Sequence, residues 1–304
     1  MKLATPLKSM LKALDFDYAW YRMKSVERQA RFTKEFGIPA IGAGDARRSD
    51  LPIDIVIPVI DKDAGTLPLV IDSAREFIAH PIGGIYLVSP KDSPAIRAIA
   101  AEKRCELIDE AELVDISPRD IAYVHEGTNR AGWVYQQLLK WSGGRFCKNR
   151  HYLVIDSDTV FIRPQAFEFE GRMVFDFCDE FHVPYFKAFE HLFGMTPRAT
   201  ISFTSHHSLI DTELMRELMD VLGKRHGKPW FEAVAGAVDV TEMSSVSDYD
   251  NYGQYVAERH PQRMVVRYWA NKSFGRKHLP RLDTLRRRYA RLYNTISFHS
   301  WNVY

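Results

Sequence analysis

The chain has 304 residues, 46% hydrophobic and 26% charged, with a formal net charge of +2. That length buries a continuous core, the near-neutral balance argues against a nucleic-acid binder, and the composition excludes disorder and collagen-like repeats. The three cysteines, Cys105, Cys147 and Cys178, show no C-x-x-C spacing, so neither a disulfide framework nor a structural zinc site is expected, and a reducing, cytoplasmic home is the simplest.

No apolar run approaches the roughly 20 residues of a membrane span, and the start of the chain lacks the pattern of a secretory signal. Residues 1–50 are expected to form an N-terminal helical extension. Residues 1–36 carry eight Lys/Arg against four Asp/Glu, and Leu7, Leu11 and Leu14 stand beside Lys8 and Lys12. This is either a membrane contact or a packing helix.

Residues 53–59, a β-branched run interrupted only by Asp54 and Pro58, give the first strong strand signal. A loop follows over 61–65, then a helical pattern over 67–79, a strand over 84–89, a helix over 93–101 and a short strand over 105–108. This alternation predicts an α/β fold, a Rossmann-type mixed sheet that is mostly parallel and flanked by helices. Residues 111–130 read as a polar connection. A helix over 132–141 is ended by Gly143-Gly144, and residues 152–155 form a buried strand. Another strand is expected over 173–178, with helices near 212–222 and 249–259 and a helix start at Pro229-Trp230. Residues 51–304 are expected to make a single domain.

Residues 271–293 hold eight Lys/Arg against Asp283 alone. Leu279, Leu282, Leu285, Tyr289, Leu292 and Tyr293 recur at helical spacing, with Arg281, Arg286, Arg287, Arg288 and Arg291 between them, so a basic amphipathic helix is expected near 279–293. Such a helix either lies on an anionic membrane or packs its leucines on the domain and solvates its arginines.

The most informative stretch is Asp156-Ser157-Asp158, which leaves the buried strand directly. Strand ends at the carboxyl edge of an open α/β sheet are where ligands bind. Alternate residues of an extended chain point the same way, so both carboxylates can face one Mg²⁺ or Mn²⁺, hard ions that complete their shells with phosphate oxygens. The alternative is an ordinary turn built with Asp and Ser.

With its first strand over 53–59 and Asp156-Ser157-Asp158 in mid-chain, the sequence resembles the GT-A glycosyltransferases. More narrowly, residues 132–140, Ser205-His206-His207-Ser208-Leu209 and residues 247–253 resemble an uncharacterised bacterial glycosyltransferase-like family, the likeness covering roughly 50–260. The resemblance implies a GT-A-like fold and a nucleoside-diphosphate-sugar donor whose base lies near Pro58, Val59, Asp63 and Ser89. It implies that Arg130, Gln136, Gln137, Lys140 and Asp156 reach the donor; Gln136 and Lys140, four apart, share a helical face. Asp156, Asp158 and His299 are the implied metal ligands, for Mn²⁺ or Mg²⁺.

The second half of such enzymes builds the acceptor site. Asp248 is the candidate base or acceptor contact, with a helix cap as the alternative; Asp250 is a second candidate, expected to be more exposed. His206 and His207 are candidates for acceptor binding, and in an extended segment only one of them can face the acceptor. The implied activity transfers a sugar to the hydroxyl of a glycan or glycolipid in bacterial surface-polysaccharide or glycolipid synthesis, at the inner face of the plasma membrane. Two rivals stay open. One is a sugar-phosphate nucleotidyltransferase, against which residues 61–65 hold one glycine where a Gly-rich phosphate loop is needed. The other is a non-catalytic sugar-binding or membrane-scaffold protein.

Overall fold

The computed structural model describes residues 16–300. Helix α1 (Phe16–Phe36) leads to the short strand β1 (Ala40–Ile41). A β-α-β-α-β run follows: β2 (Ile53–Pro58), α2 (Leu67–Phe77), β3 (Ile82–Ser89), α3 (Pro94–Glu102) and β4 (Glu106–Asp109). A small hairpin of β5 (Val124–His125) and β6 (Thr128–Asn129) precedes α4 (Ala131–Trp141). Then come β7 (His151–Ile155), β8 (Thr159–Phe161), β9 (Glu168–Phe169), β10 (Arg172–Phe177), α5 (Val183–Phe193), β11 (His207–Asp211), α6 (Thr212–His226) and α7 (Trp230–Gly236). The chain continues through α8 (Asp248–Arg259), β12 (Met264–Tyr268), β13 (Asn271–Gly275), α9 (Leu282–Tyr289) and β14 (Thr295–His299).

The central sheet has the order β11-β7-β2-β3-β4. Strands β7, β2, β3 and β4 are parallel, and β11 runs antiparallel on the β7 edge. Every residue of β2 is buried, as expected of a strand covered on both faces. Asp54 is charged and yet lies inside this strand. Its carboxylate accepts the backbone amides of Gly84, Lys148 and Asn149 at 2.7, 2.7 and 2.8 Å and the Asn149 side chain at 2.9 Å, the compensation that a buried carboxylate requires.

Two smaller sheets complete the body, β1-β12-β10-β9 and β13-β14-β8. Through β1 pairing with β12 and Phe32 in the main core, residues 16–50 are built into the fold rather than appended to it. All three cysteines are free. Among the described residues, no helix is long and apolar enough to cross a membrane.

Three expectations change. The helix expected over 67–79 ends at Phe77, where Ile78 turns extended. The connection over 111–130 is less polar than it reads, because Leu113, Val114, Ile121 and Tyr123 are buried. The basic helix expected near 279–293 is reduced to Leu282–Tyr289, preceded by a 3-10 turn that contains Pro280; proline disfavours an α-helical residue before it. Leu282 and Leu285 are buried in the core, and Leu279 and Tyr289 pack against it. The apolar side of that helix therefore faces the domain and is closed to a membrane.

Candidate active site

The register of two strand pairs assembles the site. Strand β11 sets His207 opposite Ile155, so that His206 falls beside Asp156, whose amide donates to the His206 carbonyl at 3.0 Å. Strand β14 sets Ser297 opposite Thr159, and the Phe298 amide donates to the Asp158 carbonyl at 2.8 Å. That contact carries His299 to Asp158. The Asp-x-Asp thus stands at the carboxyl end of β7 with a histidine against each carboxylate.

Asp156 Oδ1 accepts from Lys140 Nζ and from the Tyr249 hydroxyl, both at 2.8 Å. Its Oδ2 lies 3.1 Å from His206 Nδ1. Asp158 Oδ2 lies 3.0 Å from His299 Nδ1, and the His206 and His299 rings are 5.3 Å apart. Each aspartate side chain keeps 20% of its surface exposed, so the pair lines an accessible edge. Ser157, between them, turns inward and donates to Asp63 at 2.9 Å.

Lys140 also reaches Asp248 Oδ2 at 3.4 Å, and its ammonium sits 4.1 Å above the Tyr249 ring. Burial would lower the lysine, but Asp156 and Asp248 more than offset it and its pKa is raised. Burial likewise opposes ionisation of Asp156, yet Lys140, then His206, hold its carboxyl well below the usual range. His206 is pushed well above its ordinary value by Asp156 and Glu180 in spite of burial. Asp158 is held down by His299 against the same burial cost. Burial dominates at Asp248, and with Asp156 nearby its carboxyl is pushed up to about 6, although Lys140 pulls the other way.

Of the sequence candidates, Gln137 and Lys140 join the site, with Gln137 Oε1 accepting the Asp248 amide at 2.8 Å. Lys140 and Gln137 are buried while Gln136, on the same side of the helix as Lys140, is half-buried. Arg130 anchors a loop, donating to the Met243 carbonyl at 3.0 Å while stacking on Trp133. Pro58, Val59 and Ser89 are buried at the strand ends. Asp63 is also buried, engaged by Ser157 and by an ion pair with Arg276, so it braces the site rather than facing a base.

The two histidines do divide, but His206 precedes strand β11 in the left-handed region, with a φ of 66°, so the division does not come from the alternation of an extended segment. His207 is buried among Phe161, Phe167 and Trp269, with Nε2 2.8 Å from Asp176 and Nδ1 2.9 Å from the Ser205 carbonyl. It belongs to the core, and its expected acceptor role is set aside. Asp250, expected to be the more exposed aspartate, is the more deeply buried one. It accepts the Phe203 amide and the Thr204 hydroxyl, each at 2.7 Å, which makes it structural. Ser247, not Asp248, caps α8, its hydroxyl accepting the Asp250 amide at 3.1 Å. Gly253 lets this helix press on Phe203, since an added Cβ there would run into that ring.

Sequence reasoning missed Tyr249, Glu180 and Arg276. Tyr249 directly follows Asp248, so its position was available but its direction was not. Glu180 Oε1 lies 3.6 Å from His206 Nε2 and comes from the loop after β10. Arg276 was hidden within a stretch read only as generally basic.

The donor chemistry fits a hard divalent cation. Among the described residues no group of three or more His, Cys, Asp or Glu can hold an ion by itself. Asp158 and His299 supply one carboxylate and one imidazole, a set that Mn²⁺ or Mg²⁺ completes with water and phosphate oxygens. Asp156 has both oxygens engaged by Lys140, Tyr249 and His206, so it stands beside such an ion more as a charge than as a free ligand.

No curated protein matches the sequence. Among solved structures, mouse xyloside xylosyltransferase 1 is similar at 12% identity and a TM-score of 0.45, covering 82% of this chain and 98% of that one. The galactosyltransferase LgtC, solved with donor and acceptor sugar analogues, is similar at 16% identity and a TM-score of 0.45, covering 82% and 88%. Glucosyl-3-phosphoglycerate synthase from Mycobacterium tuberculosis, solved with Mn²⁺, UDP and phosphoglyceric acid, is similar at 12% identity and a TM-score of 0.42, covering 72% and 68%. A family model matches residues 51–285, and the chain belongs to that family, the family of unknown function DUF6492.

Proposed function

We propose that the chain is a divalent-metal-dependent glycosyltransferase that moves a sugar from a nucleoside-diphosphate sugar to an acceptor hydroxyl. One observation carries this reading: Asp156 and Asp158, at the carboxyl end of a central parallel strand, each meet a histidine at an exposed edge, with a buried lysine behind them. Bound at Asp158 and His299, a divalent cation would neutralise a departing diphosphate as a Lewis acid.

The chain's own groups set the electrostatics. Lys140 fixes Asp156 and cancels part of its charge. His206, held between Asp156 and Glu180, adds positive charge behind the same edge. Asp248 is buried and turned to Lys140, so we assign it to positioning that lysine in place of the expected proton abstraction. The nature of the acceptor, a glycan or glycolipid of a bacterial surface, rests on the sequence resemblance.

The test is a thermal-shift panel of UDP- and GDP-sugars with and without Mn²⁺ or Mg²⁺, since a ligand that binds the native state raises its apparent stability. At least one donor should stabilise the protein in a metal-dependent way and be slowly hydrolysed. Absence of any shift across the panel with metal present would overturn the reading.

A further inference from the structure

Among the described residues, the exposed large hydrophobic side chains are unevenly spread. Phe16, Trp20, Tyr21, Met23 and Val26 all lie in the first half of α1, with exposures from 40% at Tyr21 to 58% at Met23. Phe16, Trp20 and Met23 are spaced by four and three, the spacing of a single helical face, and the Phe16 and Trp20 rings stack at 6.5 Å. The opposite side of the helix carries Ser25 and Phe32, both buried, and Tyr18, which packs against the core. The helix therefore has two apolar sides, one of which has no protein against it among the described residues.

Basic residues gather around the start of this helix. Tyr18 packs edge-on against Tyr293 at 5.8 Å and against Tyr268 at 6.3 Å, which brings the end of the basic 271–293 stretch to the inner side of the first turns of α1. Arg287, Arg288, Arg291 and Leu292 are all exposed there. On the helix itself, Lys24 lies 5.1 Å over the Trp20 ring. An aromatic and apolar row bordered by Lys and Arg is the composition of an interfacial membrane helix. A second copy of the chain on this face would bring one strongly basic stretch up to another.

We infer that the outer face of α1, with the adjoining Arg287–Leu292 segment, is a docking surface for an anionic lipid bilayer. The inference is independent of the sugar-transfer reading. It relocates the membrane contact expected from the sequence: the leucines of the basic helix are spent on the core, and α1 supplies the apolar side. The same helix reaches the rim of the site, where Arg28 lies 4.0 Å over the Phe181 ring, next to Glu180.

The experiment is co-sedimentation of the full chain with vesicles of neutral phosphatidylcholine, with and without a third of phosphatidylglycerol. The wild type is compared with W20E/M23E and with R287E/R288E/R291E, and folding is checked by circular dichroism and melting. The wild type should bind the anionic vesicles and leave the neutral ones, each variant should lose binding at least about tenfold while staying folded, and high salt should release the protein. Absence of binding to anionic vesicles overturns the inference, as does binding that W20E/M23E leaves unchanged. A wild-type dimer in solution that W20E/M23E splits would assign the face to a second copy and overturn it as well.

Discussion

Gln137 accepts the backbone amide of Asp248 at 2.8 Å, tying the last turns of α4 to the first turn of α8. Three residues further along α4, Lys140 meets both Asp248 and Asp156. One helical face thus links the Asp-x-Asp to the helix behind it by a neutral contact and a charged one.

Lys140→Met removes the cation of the buried pair with Asp248 and leaves that carboxylate uncompensated. Breaking a buried ion pair from one side costs about 3 to 5 kcal/mol. Urea denaturation at neutral pH should show a loss of that order, and K140M/D248N should recover part of it. A variant as stable as the wild type would contradict the assignment.

Asp250 predicts a pH effect. Burial pushes its carboxyl from 3.8 up to about 6 in spite of the Phe203 amide and the Thr204 hydroxyl. The folded state therefore holds this proton more tightly than the unfolded chain, and between about pH 4 and 6 its contribution to stability falls as pH rises. Asp250→Asn keeps the shape without the charge. The stability of D250N relative to wild type should climb across that window, by at most about 3 kcal/mol, as read from denaturant midpoints at several pH values; a flat difference would refute the shift.

The adjacent histidines should separate in experiment. His207→Ala opens a hole among three aromatic rings and leaves Asp176 short of a partner, so about 3 kcal/mol of stability should go. His206→Ala, beside Asp156, should reduce turnover far more than stability. Melting curves alongside donor-hydrolysis rates distinguish the two.

Asp158→Ala should abolish the metal-dependent thermal shift with nucleotide sugar, and His299→Ala should weaken it. D158A should leave the metal-free melting temperature within a few degrees of wild type, since the Asp158 side chain keeps 20% of its surface exposed. If D158A kept a full Mn²⁺-dependent shift, the ion would have to lie elsewhere.

Gly253→Ala tests close packing. The added methyl meets Phe203, and overpacking of a filled core costs about 1 to 3 kcal/mol.

Periodicity made the β2-α2-β3-α3-β4 run legible because strands buried on both faces and helices with one apolar side leave different marks. The Asp-x-Asp was legible through its place after a buried strand. Direction is harder to read: one residue along a helix turns the side chain by about 100°, so the sequence names Gln136 and Gln137 alike without saying which of them is buried against Asp248. Asp54 reads as an interruption of its strand until the amides of residues 84, 148 and 149 are seen to converge on it. The burial of Asp250 depends on a loop around residue 203, and no local pattern reports so distant a partner. The basic stretch displayed the right amphipathic spacing, but spacing does not say whether lipid or protein covers the leucines.

Strand β14 lies between β13 and β8, and its His299 meets an aspartate 141 positions earlier in the chain. During synthesis, the central sheet and the Asp-x-Asp emerge from the ribosome long before this partner does. A nascent chain that has folded its sheet therefore still lacks half of the proposed ion pocket, and clipping the protein ahead of Thr295 would return it to that unfinished condition. Activity would then be governed by a short segment that the 51–285 family match does not include.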